Sequence, residues 1–316
     1  MITGGTGSFG KAFARDLLTQ TEVTKIAILS RDEYKQHLMR NELGEDPRLS
    51  MFIGDVRDQS RLERAFNGID YVVHAAALKQ VDAGEYNPIE FVKTNVMGSQ
   101  NVIEAALNAR VKKVIALSTD KASSPINLYG ATKLTADKLF SAANSYTGSY
   151  GTKFACVRYG NVMESRGSVI PLWQAAVLNG TPLPLTDVRM TRFWISIPHA
   201  VSFVKSCFGL MRGGELFVPR IASMRLIDLA DAVAPGHPVK EVGLRPGEKL
   251  HEEMVSRDDS RRTVRMEDRF VIEPLQPDWG YSPHQGPRCE EGFSYRSDTN
   301  DQWLSQEELR GALKSL

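Results

Sequence analysis

Short apolar runs recur along the first half of the chain, each followed by a polar break and then by a stretch with helical spacing. Ile26-Ala27-Ile28-Leu29, Met51-Phe52-Ile53-Gly54-Asp55-Val56, Tyr71-Val72-Val73-His74-Ala75-Ala76-Ala77, Val114-Ile115-Ala116-Leu117 and Phe154-Ala155-Cys156-Val157-Arg158-Tyr159 read as strands. Amphipathic stretches from about Gly10 to Leu18, from Asn95 through Ala109 and from about Tyr129 to Ala143 predict helices between them. Strand–helix alternation through residue 160 predicts an α/β fold on a doubly wound parallel (Rossmann) sheet. Beyond it the pattern loosens, and Gly180-Thr181-Pro182 and Arg212-Gly213-Gly214 punctuate loops. The predicted division is a dinucleotide-binding domain at 1–160, completed by about 185–220, and a smaller C-terminal substrate-binding lobe from 161–184 and 221–316. Residues 274–301 are rich in Pro, Gly, Asp and Ser and predict a long irregular crossing. Ser305-Gln306-Glu307-Glu308 is a capping box opening a terminal helix.

Composition narrows the partners. The chain of 316 residues can bury a large core, and its net charge of +1 gives no reason to expect nucleic acid or an anionic membrane. Cys156, Cys207 and Cys289 are widely spaced, with neither disulfide nor metal-ligand spacing, which fits a reducing cytoplasm. The first two lie in apolar runs, where a free Cys acts as a small hydrophobe. No apolar run approaches the roughly 20 residues that cross a bilayer. The chain opens on a glycine-rich loop rather than a signal peptide. The six His are scattered, so no metal is expected.

That loop, Gly4-Gly5-Thr6-Gly7-Ser8-Phe9-Gly10, contains a GxGxxG pattern at Gly5, Gly7 and Gly10. The pattern is weak alone, but here an amphipathic helix and then a strand follow it, as dinucleotide binding requires. Thr6, Gly7, Ser8, Phe9 and Gly10 are the expected pyrophosphate contacts, with the helix aiming its positive end at the anion. The second strand ends in Ser30-Arg31-Asp32, with Lys35 one turn on. A hydroxyl and two cations favour NADP over NAD; the other reading makes Asp32 the ribose acid and leaves Arg31 solvated. Asp55, with Val56 beside it, is either an acceptor for the adenine amine or a cap for the next helix. The small residues from Ala75 let a cofactor lie against the backbone. Lys79 just beyond is either a phosphate or sugar contact or an exposed charge.

The chemistry concentrates in Ser118-Thr119-Asp120-Lys121 and Tyr129-Gly130-Ala131-Thr132-Lys133. Tyr129 and Lys133 are four apart and share a helical face. A fixed cation beside a phenol lowers its pKa from about 10, which would make Tyr129 a usable base. YxxxK alone is common on ordinary amphipathic helices; its place one loop after STDK, in a chain with a dinucleotide loop, gives it weight. Arg189, Arg192, Arg245 and Lys249 crowd the later half and suit a phosphorylated or nucleotide-linked substrate, or are separate surface charges.

GGTGSFG, SRDEYKQ, GDVRD, AAALK, STDKASSPINLYGATK, RYGNV, MTRFWI and LRPGEKLHEEM together resemble the extended short-chain dehydrogenase/reductase superfamily. Within it they are most similar to inverting UDP-N-acetylglucosamine 4,6-dehydratases, which start pseudaminic acid and related bacterial glycan pathways. The resemblance runs to about Asp268 and is weak thereafter. It implies a UDP-N-acetylhexosamine substrate, NADP regenerated each turnover, and a homo-oligomer. It implies that Tyr129, assisted by Lys133, deprotonates the sugar 4-hydroxyl. Lys121 would then remove the carbon-5 proton, Asp120 protonate the departing 6-hydroxyl, and Thr119 hydrogen-bond the oxygen at carbon 4. These roles call for a raised acid pKa and a lowered amine pKa. Asn161, Arg166, Arg245 and Glu248 match positions that contact the nucleotide sugar. Epimerases of the superfamily usually have serines where Asp120 and Lys121 stand, and retaining dehydratases commonly carry Met in place of Tyr129. Relatives also carry more apolar residues ahead of the TGG than Met1-Ile2, so the expected cost is in stability of the mid-sheet first strand, not in the site.

Two other functions compete. A nucleotide-sugar 4-epimerase or simple reductase would not need Asp120 and Lys121, because epimerisation has no elimination step. An NADP(H)-sensing protein would not need the Tyr129–Lys133 pair.

Overall fold

Six parallel strands carry the first half of the computed structural model, which describes residues 1–148, 151–163 and 169–314. They are β1 (Ile2–Thr3), β2 (Ile26–Ser30), β3 (Leu49–Ile53), β4 (Tyr71–His74), β5 (Lys113–Leu117) and β6 (Lys153–Val157). Their spatial order is β3-β2-β1-β4-β5-β6, every pair parallel. Both faces are covered, so the strands read as continuous apolar runs rather than alternating ones. One face packs Phe13, Ala14, Val201 and Val204 against the sheet, the other Phe66, Val102, Ile103 and Phe140. The strand order reverses between β1 and β4, and ligands of such sheets bind where it reverses, beyond the carboxyl ends of the strands. β1 has only two residues, yet it is laddered on both sides: Ile2 pairs with Ile28 and Val73, and Thr3 with Leu29 and His74.

Beyond β6 the sheet continues through a parallel strand, Leu216–Pro219, then an antiparallel one, Arg269–Ile272, which pairs in turn antiparallel with Thr263–Arg265 at the edge. The last two come from the range that the sequence pattern placed in the smaller lobe. Phe270, Val271 and Ile272 are buried in the same core as β1 and β2, which draws this hairpin onto the sheet edge. Conversely, Leu183–Leu185 pairs with Val239–Glu241, and Thr191–Ile195 with Ser223–Arg225 and Asn161–Val162. These short ladders surround a separate core of Trp173, Leu183, Trp194, Met224, Leu229 and Leu309. Strands of two to five residues leave little periodicity to read, which is why the sequence placed this boundary differently.

Residues 274–294 form the irregular crossing. The Ser305 hydroxyl donates to Glu308 Oε2, and the Ser305 Oγ accepts from the Glu308 N–H, closing the predicted capping box. The helix expected over 95–109 begins earlier, as a π-helical turn at Val92–Met97 that runs into Gly98–Asn108. All three cysteines are free and buried. Among the described residues no helix is long and apolar enough to cross a membrane.

Candidate active site

A cleft of about 920 Å³ opens over the carboxyl ends of β1, β2, β4 and β5 and extends to the smaller lobe. At its dinucleotide end the glycine loop turns into the helix Ser8–Leu18. Gly7 is the N-cap; no side chain caps this helix end and no acid stands in its first turn. Its free N–H groups can therefore face an anion. Gly4 sits at φ +65°, where a side chain would strain the backbone and meet the Ala76 backbone at 2.7 Å. A Cβ at Gly10 would lie 2.5 Å from the Gly5 backbone. The chain thus passes close enough for a pyrophosphate to touch main chain, and the residues present fit a nicotinamide dinucleotide.

Thr6, Gly7, Ser8, Phe9 and Gly10 line this end, as do Ser30, Arg31, Lys35, Asp55, Val56 and Ala75. Asp32 caps the next helix by accepting from the Lys35 N–H at 3.0 Å, and its other oxygen lies 2.8 Å from Lys35 Nζ. Asp55 accepts from the Arg57 N–H and guanidinium and lies 3.7 Å from Arg31. The cap of the helix Gln59–Phe66 is Asp58, not Asp55.

At the other end β5 runs into Ser118 and Thr119, followed by a single tight turn at Asp120–Ala122. Asp120 is 1% exposed. Its Oδ1 accepts from the Thr119 hydroxyl at 2.9 Å and from Lys121 Nζ at 3.1 Å. Its Oδ2 is buried and makes no hydrogen bond among the described residues. The helix Leu128–Ala142 presents Tyr129 and Lys133 to the same cleft. Asn127 caps it through the Gly130 N–H at 2.7 Å. A Cβ at Gly130 would lie 2.1 Å from the Lys121 carbonyl oxygen, so only glycine lets the helix sit this close to the Asp120–Lys121 turn.

Two expected pKa directions are reversed in the free protein. Burial pushes the Tyr129 phenol up to about 12; Lys121 and the Thr119 hydroxyl oppose the rise without overcoming it, and Asp120 and Asp137 add to it. Lys121, rather than the Lys133 that the helical spacing singled out, is the cation that chiefly opposes the rise. The Lys121 amine is not lowered either. Burial pulls its pKa down, but Asp120 and Glu252 outweigh that, and it stands above its ordinary value. Burial does lower the Lys133 amine, with Asp137 opposing.

Beneath these groups lies a polar layer that the sequence did not reveal. Asp137 Oδ2 accepts from the Ser118 hydroxyl at 2.7 Å and from Arg158 at 3.1 Å, all buried. Asn95, in the π-helical turn, accepts from the Leu78 N–H and donates to the Leu78 carbonyl and the Thr132 hydroxyl, tying the loop after β4 to the helix that carries Tyr129 and Lys133. Such turns interrupt helices frequently at functional sites. A strap from Lys249 to Met254 crosses the Asp120–Lys121 loop. Lys249 Nζ donates to the Ser123 carbonyl at 2.6 Å, Ser123 and Ser124 donate to Glu253 Oε2 at 3.0 and 2.9 Å, and Arg158 donates to the Met254 carbonyl at 3.0 Å. Glu252 Oε1 lies 3.4 Å from Lys121 Nζ.

Lys79, Asn161, Arg245 and Glu248 line the remainder of the cleft, together with apolar Val169, Leu172 and Leu226 from the lobe. Arg166, also expected here, lies outside the described residues. Of the other cations read as a substrate group, Arg189 turns to Asp187 at 2.7 Å and is not among the residues lining the cleft. Arg192 donates to the carbonyls of Thr191, Lys249 and Leu250, so it and Lys249 hold the strap. The HEEM motif signalled this region, but which glutamate faces the site depends on the strap's path.

The family model described as polysaccharide biosynthesis protein matches residues 1–274. A UDP-N-acetylglucosamine 4,6-dehydratase (inverting) from Campylobacter jejuni subsp. jejuni serotype O:2 is 51% identical over 98% of this chain and 95% of its own. A UDP-glucose 4-epimerase from Rickettsia akari is 45% identical over 82% of this chain and 78% of its own. Among solved structures, Pen from Bacillus thuringiensis superposes with a TM-score of 0.90 at 37% identity, covering 100% of this chain and 97% of that one. DesIV, a dTDP-glucose 4,6-dehydratase from Streptomyces venezuelae solved with NAD bound, gives a TM-score of 0.70 at 26% identity, covering 79% of this chain and 85% of that one. The chain belongs to the polysaccharide biosynthesis protein family, on the Rossmann fold that these dehydratases and epimerases share.

Proposed function

We propose that the protein is an NADP-dependent UDP-N-acetylglucosamine 4,6-dehydratase that inverts carbon 5, forming a 4-keto-6-deoxy sugar. The observation that carries this is the buried Asp120 paired with Lys121 on the cleft wall beside Tyr129 and Thr119. A 4-epimerase has no use for that second acid–base pair. NADP, when bound, would supply the acceptor for the hydride of carbon 4 and the donor of hydride to carbon 6. Tyr129 takes the proton of the 4-hydroxyl, with Thr119 holding the oxygen. Once carbon 4 is a ketone, the carbon-5 proton is acidic. Lys121 removes it, and Asp120 gives a proton to the 6-hydroxyl, which leaves as water; as hydride reaches carbon 6, carbon 5 takes up a proton on its opposite face, and that step inverts it. Both groups reach the required form if the Lys121 ammonium passes one proton across the 3.1 Å hydrogen bond to Asp120. The ion pair then becomes a neutral amine and a neutral acid, with no net change in charge.

NADP rather than NAD is supported by Arg31 and Lys35 at the end of β2 and by the engagement of Asp32 as a helix cap paired with Lys35. Inversion is supported by Tyr129 and by the 51% identical relative named as inverting. The test is to incubate the protein with UDP-N-acetylglucosamine and record the product mass. Loss of one water is expected. A new product of unchanged mass would identify a 4-epimerase, and no reaction would leave a cofactor-sensing protein.

A further inference from the structure

We infer that Glu252 is a positioning residue for the elimination base, keeping a fixed negative charge and a hydrogen-bond acceptor beside the Lys121 amine while Asp120 changes its protonation state. This rests on the dehydratase reading above. Glu252 is 2% exposed, and its Oε1 lies 3.4 Å from Lys121 Nζ and 3.8 Å from Arg192 Nε. Its Oε2 is buried and makes no hydrogen bond among the described residues. A buried carboxylate so thinly satisfied is costly to keep. The fold nevertheless fixes it from both sides along the chain, because Lys249, Glu253 and Met254 are each bonded to the catalytic loop or to Arg158.

The need for a second carboxylate follows from the work of the first. Asp120 must be neutral before elimination and ionised after it, so its hold on Lys121 changes within the turnover. Lys121 has a long flexible stem and is 26% exposed in the cleft. A neutral amine that gives one N–H to Glu252 has its lone pair directed elsewhere, free for the carbon-5 proton. The ammonium formed when that proton arrives is then held by Glu252 as well as by the newly ionised Asp120. The proton moves from carbon to nitrogen, and the electron pair it leaves expels the 6-hydroxyl. Glu252 itself gains and loses nothing. The charges facing Lys121 are Asp120, Glu252, Arg192, Lys249 and the Tyr129 phenol, and Lys249 also acts on Glu252. After Asp120, Glu252 is the largest of the groups that hold the amine above its ordinary pKa against burial.

The test compares wild type, Glu252→Asp and Glu252→Gln with bound NADP and UDP-N-acetylglucosamine. Glu252→Gln keeps the size and an acceptor but removes the charge. Its kcat is expected to fall by up to about 100-fold with KM nearly unchanged. NADPH absorbance should still rise in a single turnover, because oxidation at carbon 4 is intact, and should then persist. The limb of the pH–rate profile that reports Lys121 should move down by roughly 1–3 units, with Glu252→Asp between glutamine and wild type. An unmoved limb overturns the inference, even if kcat falls, because a merely structural role would lower the rate without shifting the limb. Should Glu252→Gln not fold, the limb of Glu252→Asp decides alone: a downward shift is expected and none overturns. If wild type itself releases no water from the sugar, the dehydratase reading fails; if it does and the limb stays, only the role of Glu252 fails.

Discussion

Lys121 Nζ stands 3.1 Å from Oδ1 of Asp120, its immediate neighbour in the chain, so the proposed base and acid of one elimination share a hydrogen bond before any substrate arrives. If Tyr129 serves oxidation and this pair serves elimination, substitutions separate the two. Asp120→Asn and Lys121→Ala should lose product formation by about 10²–10⁴-fold while NADPH absorbance still appears and persists in a single turnover. Tyr129→Phe should give neither NADPH nor product. Wild-type turnover by the Asp120 and Lys121 variants would return the epimerase reading.

Cofactor choice should reside in Arg31. It lines the cleft at the end of β2, 3.7 Å from Asp55. Arg31→Asp should weaken NADP binding by roughly 10- to 1000-fold, the scale of one or two charge-assisted hydrogen bonds, and leave NAD binding much less affected. Calorimetric titration with each cofactor checks this; equal affinity of wild type for the two would sink the preference.

Gly130→Ala should damage stability and activity together. The new Cβ would sit 2.1 Å from the Lys121 carbonyl, and that atom is backbone, unable to swing aside. Overpacking of this kind costs about 1–3 kcal/mol or more, readable as a melting temperature several degrees lower. Gly209→Ala is the control: nothing lies near its added Cβ, and its change should stay below about 1 kcal/mol.

His74 should contribute to acid lability. Its Nδ1 meets the Thr3 hydroxyl at 2.7 Å and its Nε2 the Ser99 hydroxyl at 3.3 Å. Burial, aided by Lys133, pulls its pKa down to about 3. In the unfolded chain it titrates near 6.5, so as pH falls the unfolded state takes up its proton first. The contribution is therefore complete above about pH 6.5 and lost progressively toward pH 3, at up to about 1.4 kcal/mol per pH unit. His74→Asn should flatten the slope of unfolding free energy between about pH 6 and 4 by nearly that amount. Urea melts across that range measure it; an unchanged slope would mean that His74 is not the group titrating.

Much of the candidate site was legible in the sequence because the patterns that mark it are local. The glycine loop, the STDK turn, the YGATK helix and the Ser305–Glu308 capping box each need particular residues within a few positions, and neighbours in sequence stay neighbours in space. The alternation of strands and helices through β6 likewise follows from short-range apolar spacing, and it predicted the parallel, doubly wound sheet that the structure shows.

What sequence could not determine depends on distant segments meeting. Ser123 and Glu253 are 130 positions apart, and no local pattern says that the strap crosses the Asp120–Lys121 turn or that Glu252 rather than Glu253 faces Lys121. The hairpin at 263–272 joined the main sheet because its apolar residues complete that core, a choice made by packing. The pKa directions were decided the same way. Spacing put a cation one turn from Tyr129, but the phenol's burial and the carboxylates around it, both products of the tertiary fold, outweigh any gain from helical proximity.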